Sequence, residues 1–171
     1  MSFETSDAMV EMADALALDG QPDAAFDGLC SVVRRLIGVR LFSVMVLDNA
    51  AGDVARVYSN QPQAYPVGGR KPLQKLSRWG EQVLRHGQPY LGRTHADIAE
   101  AFFDHELIRS LGCGSVINLP VRWDDRIIGT INILDAEHAY DTQSLTRVQP
   151  LAPLTIAPML LACRNLAPTG E

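Results

Sequence analysis

Cysteine is scarce in this 171-residue chain: Cys30, Cys113 and Cys163 are the three present. An odd number without C-x-x-C spacing argues against a secreted disulfide framework and against a structural zinc site. That scarcity fits a reducing cytoplasm, which is the expected location. Long hydrophobic runs are missing too. None approaches the roughly 18 residues that a membrane span requires, and Met1 to Asp19 carries acids where a signal peptide carries basic residues, so export and membrane insertion are disfavoured. Basic residues are absent before Arg34, whereas Glu4, Asp7, Glu11, Asp14, Asp19, Asp23 and Asp27 all precede it. With a net charge of -5, general nucleic-acid binding is not expected. The sequence has no G-x-G-x-x-G, P-loop, H-E-x-x-H or G-x-S-x-G motif. Internal repeats and low-complexity tracts are likewise missing.

What remains is ordinary globular composition, 47% hydrophobic and 20% charged, in a chain long enough to bury roughly 70% of its unfolded surface without metal or disulfide. One segment departs from the acidic average. Between Gln61 and His95, Arg70, Lys71, Lys75, Arg78, Arg85 and Arg93 face the single acid Glu81. That excess is either a solvated face or a means of steering an anion, or it meets the acidic N-terminal segment.

Met9, Met12, Ala13 and Leu16 fall at helical spacing before Asp19-Gly20, and Phe26, Leu29, Cys30, Val33, Leu36 and Ile37 make a second helical stripe from Pro22 to Gly38. Leu41–Asp48 and Asp53–Ser59 read as a hairpin around Asn49-Ala50-Ala51-Gly52. Residues 60–72, with three prolines and no periodicity, read as a surface loop. A third helix is expected with Leu73, Leu76, Gly80, Val83 and Leu84 on its apolar face, ended by His86-Gly87 and followed by a short strand around Tyr90. A further helix spans Asp97 to Leu111, with Ile98, Phe102, Leu107 and Leu111 turned inward. Two strands, Cys113–Trp123 and Ile127–Asp135, flank Asp124-Asp125-Arg126. A three-residue loop there sets Trp123 opposite Ile127, Asn118 opposite Asn132 and Pro120 opposite Thr130, which sorts the faces; a two-residue loop mixes them, so the three-residue loop is expected. Thr142–Asn165 is a helical stripe carrying Pro150, Pro153 and Pro158, so a kinked helix is expected, bent at Pro158. Residues 1–20 are taken as an N-terminal helix, 21–165 as the main domain and 166–171 as a loose tail.

This order, with Phe103-Asp104-His105-Glu106-Leu107-Ile108-Arg109-Ser110-Leu111-Gly112, Gly114-Ser115-Val116-Ile117-Asn118-Leu119-Pro120-Val121 and Ile127-Ile128-Gly129-Thr130-Ile131-Asn132-Ile133-Leu134, resembles a GAF domain over nearly the whole chain. The resemblance implies an α+β, GAF/PAS-like fold: a central antiparallel sheet of about six strands, terminal helices on one face, and helices and loops around a small-molecule pocket on the other. It further implies a sensory, signal-transducing domain that dimerises or signals to a separate protein.

Chemistry known from GAF relatives finds few of its residues here. Relatives that reduce free methionine sulfoxide use a cysteine three residues after a histidine and another in a Val-Cys-Gly turn. The comparable positions hold Ile108, after His105, and Trp79, before Gly80. Cys113 alone provides no dithiol cycle. Bilin-binding relatives share Asp97-Ile98 but attach the chromophore to a cysteine, often beside a histidine, that this chain does not have. Phe103-Asp104-His105-Glu106 is only superficially like the end of the cyclic-nucleotide signature. His86, His95, His105 and His138 fall at helix ends or in loops, where haem ligation is not expected, and Asp124 and Asp125 fall in a turn. No cofactor is named by the sequence. The expectation is therefore a non-enzymatic ligand-binding domain taking a small molecule, with an anion favoured by the basic segment. Trp79, Tyr90, Phe103, Cys113, Asn118, Thr130 and Asn132 are the candidate ligand-binding residues. Asn118 and Asn132, being buried strand amides, need a ligand, a water or each other as partners. The alternatives are a thiol-based reductase and a ligand-free interaction module.

Overall fold

A computed structural model describes residues 3–49, 51–73 and 77–166. Ala50 of the first turn, Leu76 of the third helix and the tail from Ala167 to Glu171 lie outside the described residues.

The helix α1 (Phe3–Leu16) packs Ala8, Met12 and Ala15 against α2 (Asp23–Ile37), while Ala13 is exposed. Gly28 permits the closest approach, because a Cβ there would stand 2.4 Å from Ala15 Cβ. Glu11 pairs with Arg35 across the same helices. The expected hairpin forms as β1 (Leu41–Asp48) and β2 (Asp53–Ser59). The expected loop over 60–72 ends in an extra strand, β3 (Arg70–Pro72), which pairs Lys71 with Val54. Three residues show no alternation, and Pro72 is tolerated because β3 is an edge strand.

After Ser77 the chain forms α3 (Arg78–Gly80), which widens into a π-helical turn over Glu81–Arg85, where His86 N–H donates to the Glu81 carbonyl across 3.0 Å. The described helix therefore starts later than predicted, and Leu73 lies outside it. Strand β4 (Tyr90–Gly92) follows. The helix predicted from Asp97 to Leu111 is two, α4 (His95–Ala101) and α5 (His105–Ser110), because Phe102 is extended at φ -126. That break resets the helical phase: Ile108 is buried and Leu107 is 41% exposed, the reverse of the sequence expectation.

Strands β5 (Ser115–Trp123) and β6 (Arg126–Asp135) pair Asn118 with Asn132 and Pro120 with Thr130, as predicted. The turn is not. Trp123 pairs with Arg126, leaving Asp124 and Asp125 as a two-residue turn, both with positive φ (50 and 54), the geometry of a tight hairpin that follows strand twist. Val121 pairs with Gly129 but Arg122 with Ile127, so Ile128 is an extra residue in a β-bulge. The bulge restores the face sorting that a two-residue turn alone would mix.

The six strands run antiparallel in the order β3-β2-β1-β6-β5-β4. Phe42, Val44, Ile117, Leu119, Ile131 and Ile133 turn one face toward α1, α2 and the C-terminal helices. Leu41, Val116 and Leu134 turn the other toward Trp79, Val83, Ile98, Phe102 and Ile108. The C-terminal stretch comprises α6 (Thr142–Val148), a 3-10 segment (Gln149–Thr155) and α7 (Ile156–Leu166). Pro150 and Pro153 fall in the 3-10 segment, and Pro158 in the first turn of α7, where no intrahelical bond is required of it. The irregularity thus lies before Pro158 rather than at it.

Candidate functional site

A cavity of about 400 Å³ opens between β3, α3 and the α4–α5 corner. Among the described residues its walls are apolar, with Val54, Leu73, Trp79, Leu84, Phe102 and Phe103 the larger contributors. Two of the lining side chains are polar. Ser77 is engaged, its hydroxyl donating to the Ala101 carbonyl over 3.1 Å. The other is Lys71.

Strand β3 carries Lys71 inward, leaving its side chain 12% exposed. The ammonium nitrogen stands 4.8 Å from the Phe102 ring centre, 5.4 Å from Phe103 and 5.9 Å from Trp79, within the range of cation-π attraction. Its hydrogen bond, to Asp104 Oδ1, is long at 3.4 Å. Asp104 Oδ2 accepts from Tyr65 O–H at 2.8 Å and lies 3.9 Å from Arg56 Nη2. Arg56 is itself buried, lies 3.4 Å over the Tyr65 ring and donates to the Pro66 carbonyl at 2.8 Å. Its Nε has no acceptor among the described residues. Burial, then Arg56, pushes the Lys71 ammonium below its ordinary pKa, and Asp104 only partly offsets them. Tyr65 is pushed up by burial first and by Asp104 second.

Beneath the cavity runs a buried polar chain. Trp79 Nε1 donates to Asn118 Oδ1 at 2.9 Å, Asn118 Nδ2 to Asn132 Oδ1 at 2.7 Å, and Thr130 Oγ1 to the same oxygen at 3.1 Å. Asn132 Nδ2 donates to the Ser43 carbonyl and hydroxyl at 3.3 and 3.2 Å. The asparagines thus serve as each other's partners. The space left beside them is about 10 Å³, no more than one water's room.

Of the residues singled out from sequence, Trp79 and Phe103 line the cavity, and Phe103 is 74% exposed at its rim. Asn118 and Asn132 border the small space below, connected to the cavity through Trp79. Thr130 lies behind Asn132. Tyr90 packs edge-on against Phe102 and donates to the Asp97 carbonyl at 3.2 Å, outside the cavity. Cys113 is fully buried beside α5 and β5, and burial pushes its thiol up to about 11. The Asp97 carboxylate accepts from the Arg93 and Thr94 backbone N–H groups as the cap of α4, which lowers its pKa. Much of the basic segment is spent on surface pairs: Arg70 with Asp48 and Asp53, Arg78 with Glu100, Arg85 with Glu81. Arg56, Tyr65, Lys71 and Asp104 were not legible as a group in sequence. They come from four segments joined by no local spacing, and only the basic excess around Lys71 gave a signal.

Comparison with solved structures returns GAF folds. The GAF domain from Acinetobacter phosphoenolpyruvate-protein phosphotransferase superimposes with a TM-score of 0.75 at 13% identity, covering 96% of this chain and 98% of that one. Free methionine-R-sulfoxide reductase from Neisseria meningitidis, solved with its substrate, gives 0.67 at 15% identity over 96% and 95%. The chromophore-binding domain of an unusual bacteriophytochrome from R. palustris gives 0.67 at 11% identity over 96% and 64%. Identities this low establish the fold alone. Comparison with curated protein sequences gave no match. A family model described as "GAF domain" matches residues 20–155, a span from within the α1–α2 connection through the 3-10 segment that includes every described residue of the cavity and of the polar chain: this protein belongs to the GAF domain family.

Proposed function

We propose that this GAF domain is a small-molecule-binding regulatory module without catalytic activity, acting on a second copy or on a separate signalling protein. One observation carries the proposal: a cavity of about 400 Å³, within the size range of ligand sites, whose described walls are largely apolar and hold one cationic group, Lys71. The non-catalytic reading is supported by Ile108 and Trp79 at the positions where the sulfoxide-reducing relatives carry thiols, and by a Cys113 thiol that is buried and has a raised pKa. Binding acts by population shift between conformations, so the ligand must bind them unequally.

Native mass spectra of freshly purified protein, beside denatured spectra, test the proposal. An added mass that is lost on denaturation, and absent from a Leu84→Trp variant that fills the cavity, is the expected result. A bare chain mass, together with no thermal shift from any member of a metabolite panel, overturns it. Turnover of free methionine sulfoxide with a thioredoxin system would overturn the non-catalytic part. A second reading, a ligand-free interaction module, is favoured by the roughly 10 Å³ left on the sheet face once Trp79 and the asparagines fill it.

A further inference from the structure

Resting on that same cavity, we infer that its ligand is an apolar monocarboxylate, an aromatic or branched aliphatic acid whose carboxylate faces Lys71 and whose body lies against Trp79, Phe102 and Phe103. Three observations combine. The first is charge. Arg56 and Lys71 are two cations gathered around one carboxylate, Asp104, so the cluster is one negative charge short, and an uncompensated charge is costly away from water.

Hydrogen bonding is the second. An ammonium has three donors. Among the described residues Lys71 uses one of them, in a 3.4 Å contact, and Arg56 Nε has no acceptor. Of these groups Lys71 is the one at the cavity wall, so an incoming anion there accepts from its spare N–H donors as well as balancing the charge. Third, Asp104 is not among the cavity walls while Lys71 is, so a ligand meets the lysine rather than the carboxylate.

The same features define the class. Phosphate recognition ordinarily draws on several donors, arginine forks or backbone N–H groups at a helix start. Among the described lining residues one ammonium supplies the charge, and a monoanion balances the Arg56–Lys71–Asp104 cluster. Apart from Ser77, whose hydroxyl is bonded to the Ala101 carbonyl, the other described lining side chains are rings and aliphatic groups, so the rest of the ligand is apolar.

Naphthalene-2-carboxylate and its uncharged analogue naphthalene-2-carboxamide are the probes, titrated by ¹H–¹⁵N NMR at pH 7 into the wild type and into Lys71→Met. The wild type is expected to bind the carboxylate at least about tenfold more tightly than the amide, the advantage of a charge-assisted bond over a neutral one. Lys71→Met is expected to bind both equally, with shifts at Trp79 and Phe102 in each case. A Lys71→Arg variant, which keeps the charge, is expected to retain part of the preference and separates the effect of the charge from that of the lysine's shape. Equal binding of both probes by the wild type overturns the carboxylate class while leaving the cavity as a ligand site. Binding of neither up to millimolar concentration overturns the class too, and the native mass spectra then decide separately whether the cavity holds another kind of molecule. A carboxylate preference unchanged in Lys71→Met, or shifts located away from the cavity, also overturns the inference.

Discussion

Asn132→Ala tests whether the polar chain under the cavity is held by its own members. The substitution removes the oxygen that accepts from Asn118 Nδ2 and Thr130 Oγ1 and the amide that donates to Ser43, at a residue 6% exposed. A buried donor left without a partner costs about 1–3 kcal/mol. Two are orphaned, and the Thr130 hydroxyl is able to rotate in search of another acceptor, so the loss is about 3 kcal/mol. In a domain of this size that corresponds to a fall in Tm of about 6–12 °C. Urea unfolding followed by circular dichroism gives the same quantity as a lower midpoint at unchanged slope. The companion Asn118→Leu/Asn132→Leu pair should cost much less than the sum of its single changes, because replacing both partners by apolar groups leaves fewer orphans. A loss under about 0.5 kcal/mol for Asn132→Ala, or strict additivity in the pair, refutes the account and points instead to water supplying the missing bonds.

Four further outcomes are expected. Because the Lys71 pKa is lowered in the fold, the unfolded chain holds more protons between that value and the ordinary 10.5, so stability rises with pH through this window. Lys71→Met abolishes the rise and is the more stable protein at neutral pH, as thermal melts from pH 7 to 10 will read. Gly28→Ala forces a Cβ to within 2.4 Å of Ala15 Cβ and is expected to destabilise by about 1–3 kcal/mol, with Ala15→Gly restoring much of the loss in chemical denaturation. Asp125→Gly, at a φ of 54, relieves left-handed strain and stabilises by several tenths of a kcal/mol, read as a higher urea midpoint. Cys113, buried with its thiol pushed up to about 11, is expected to resist iodoacetamide at pH 7.5 in the folded state and to react once unfolded, as peptide mapping would reveal.

Sequence patterning carried the sheet far. Alternation and β-branched residues marked β1, β2, β5 and β6, and pairing Asn118 with Asn132 followed from keeping amides off the face that receives the terminal helices. The turn between β5 and β6 failed for an instructive reason: a register argument assumes unbroken pairing, and Ile128 breaks it. Phe102 concealed the split between α4 and α5, since the interruption comes from the backbone at a residue apolar enough to belong to either helix. The site was half legible. Trp79 and Phe103 stood out as aromatics, whereas Lys71 was one cation in a basic stretch, and only the pairing of β3 with β2 turns it inward while its neighbour Arg70 goes to Asp48 and Asp53.

The outermost strands β3 and β4 are three residues each, and β3 ends on Pro72, which has no N–H to offer. Neither margin gives an approaching strand a long ladder to extend. The sheet is thus a finished surface, resistant to the edge-to-edge growth that leads to fibres, and association between copies is left to helical and apolar faces, where it need not disturb the strands that hold the cavity.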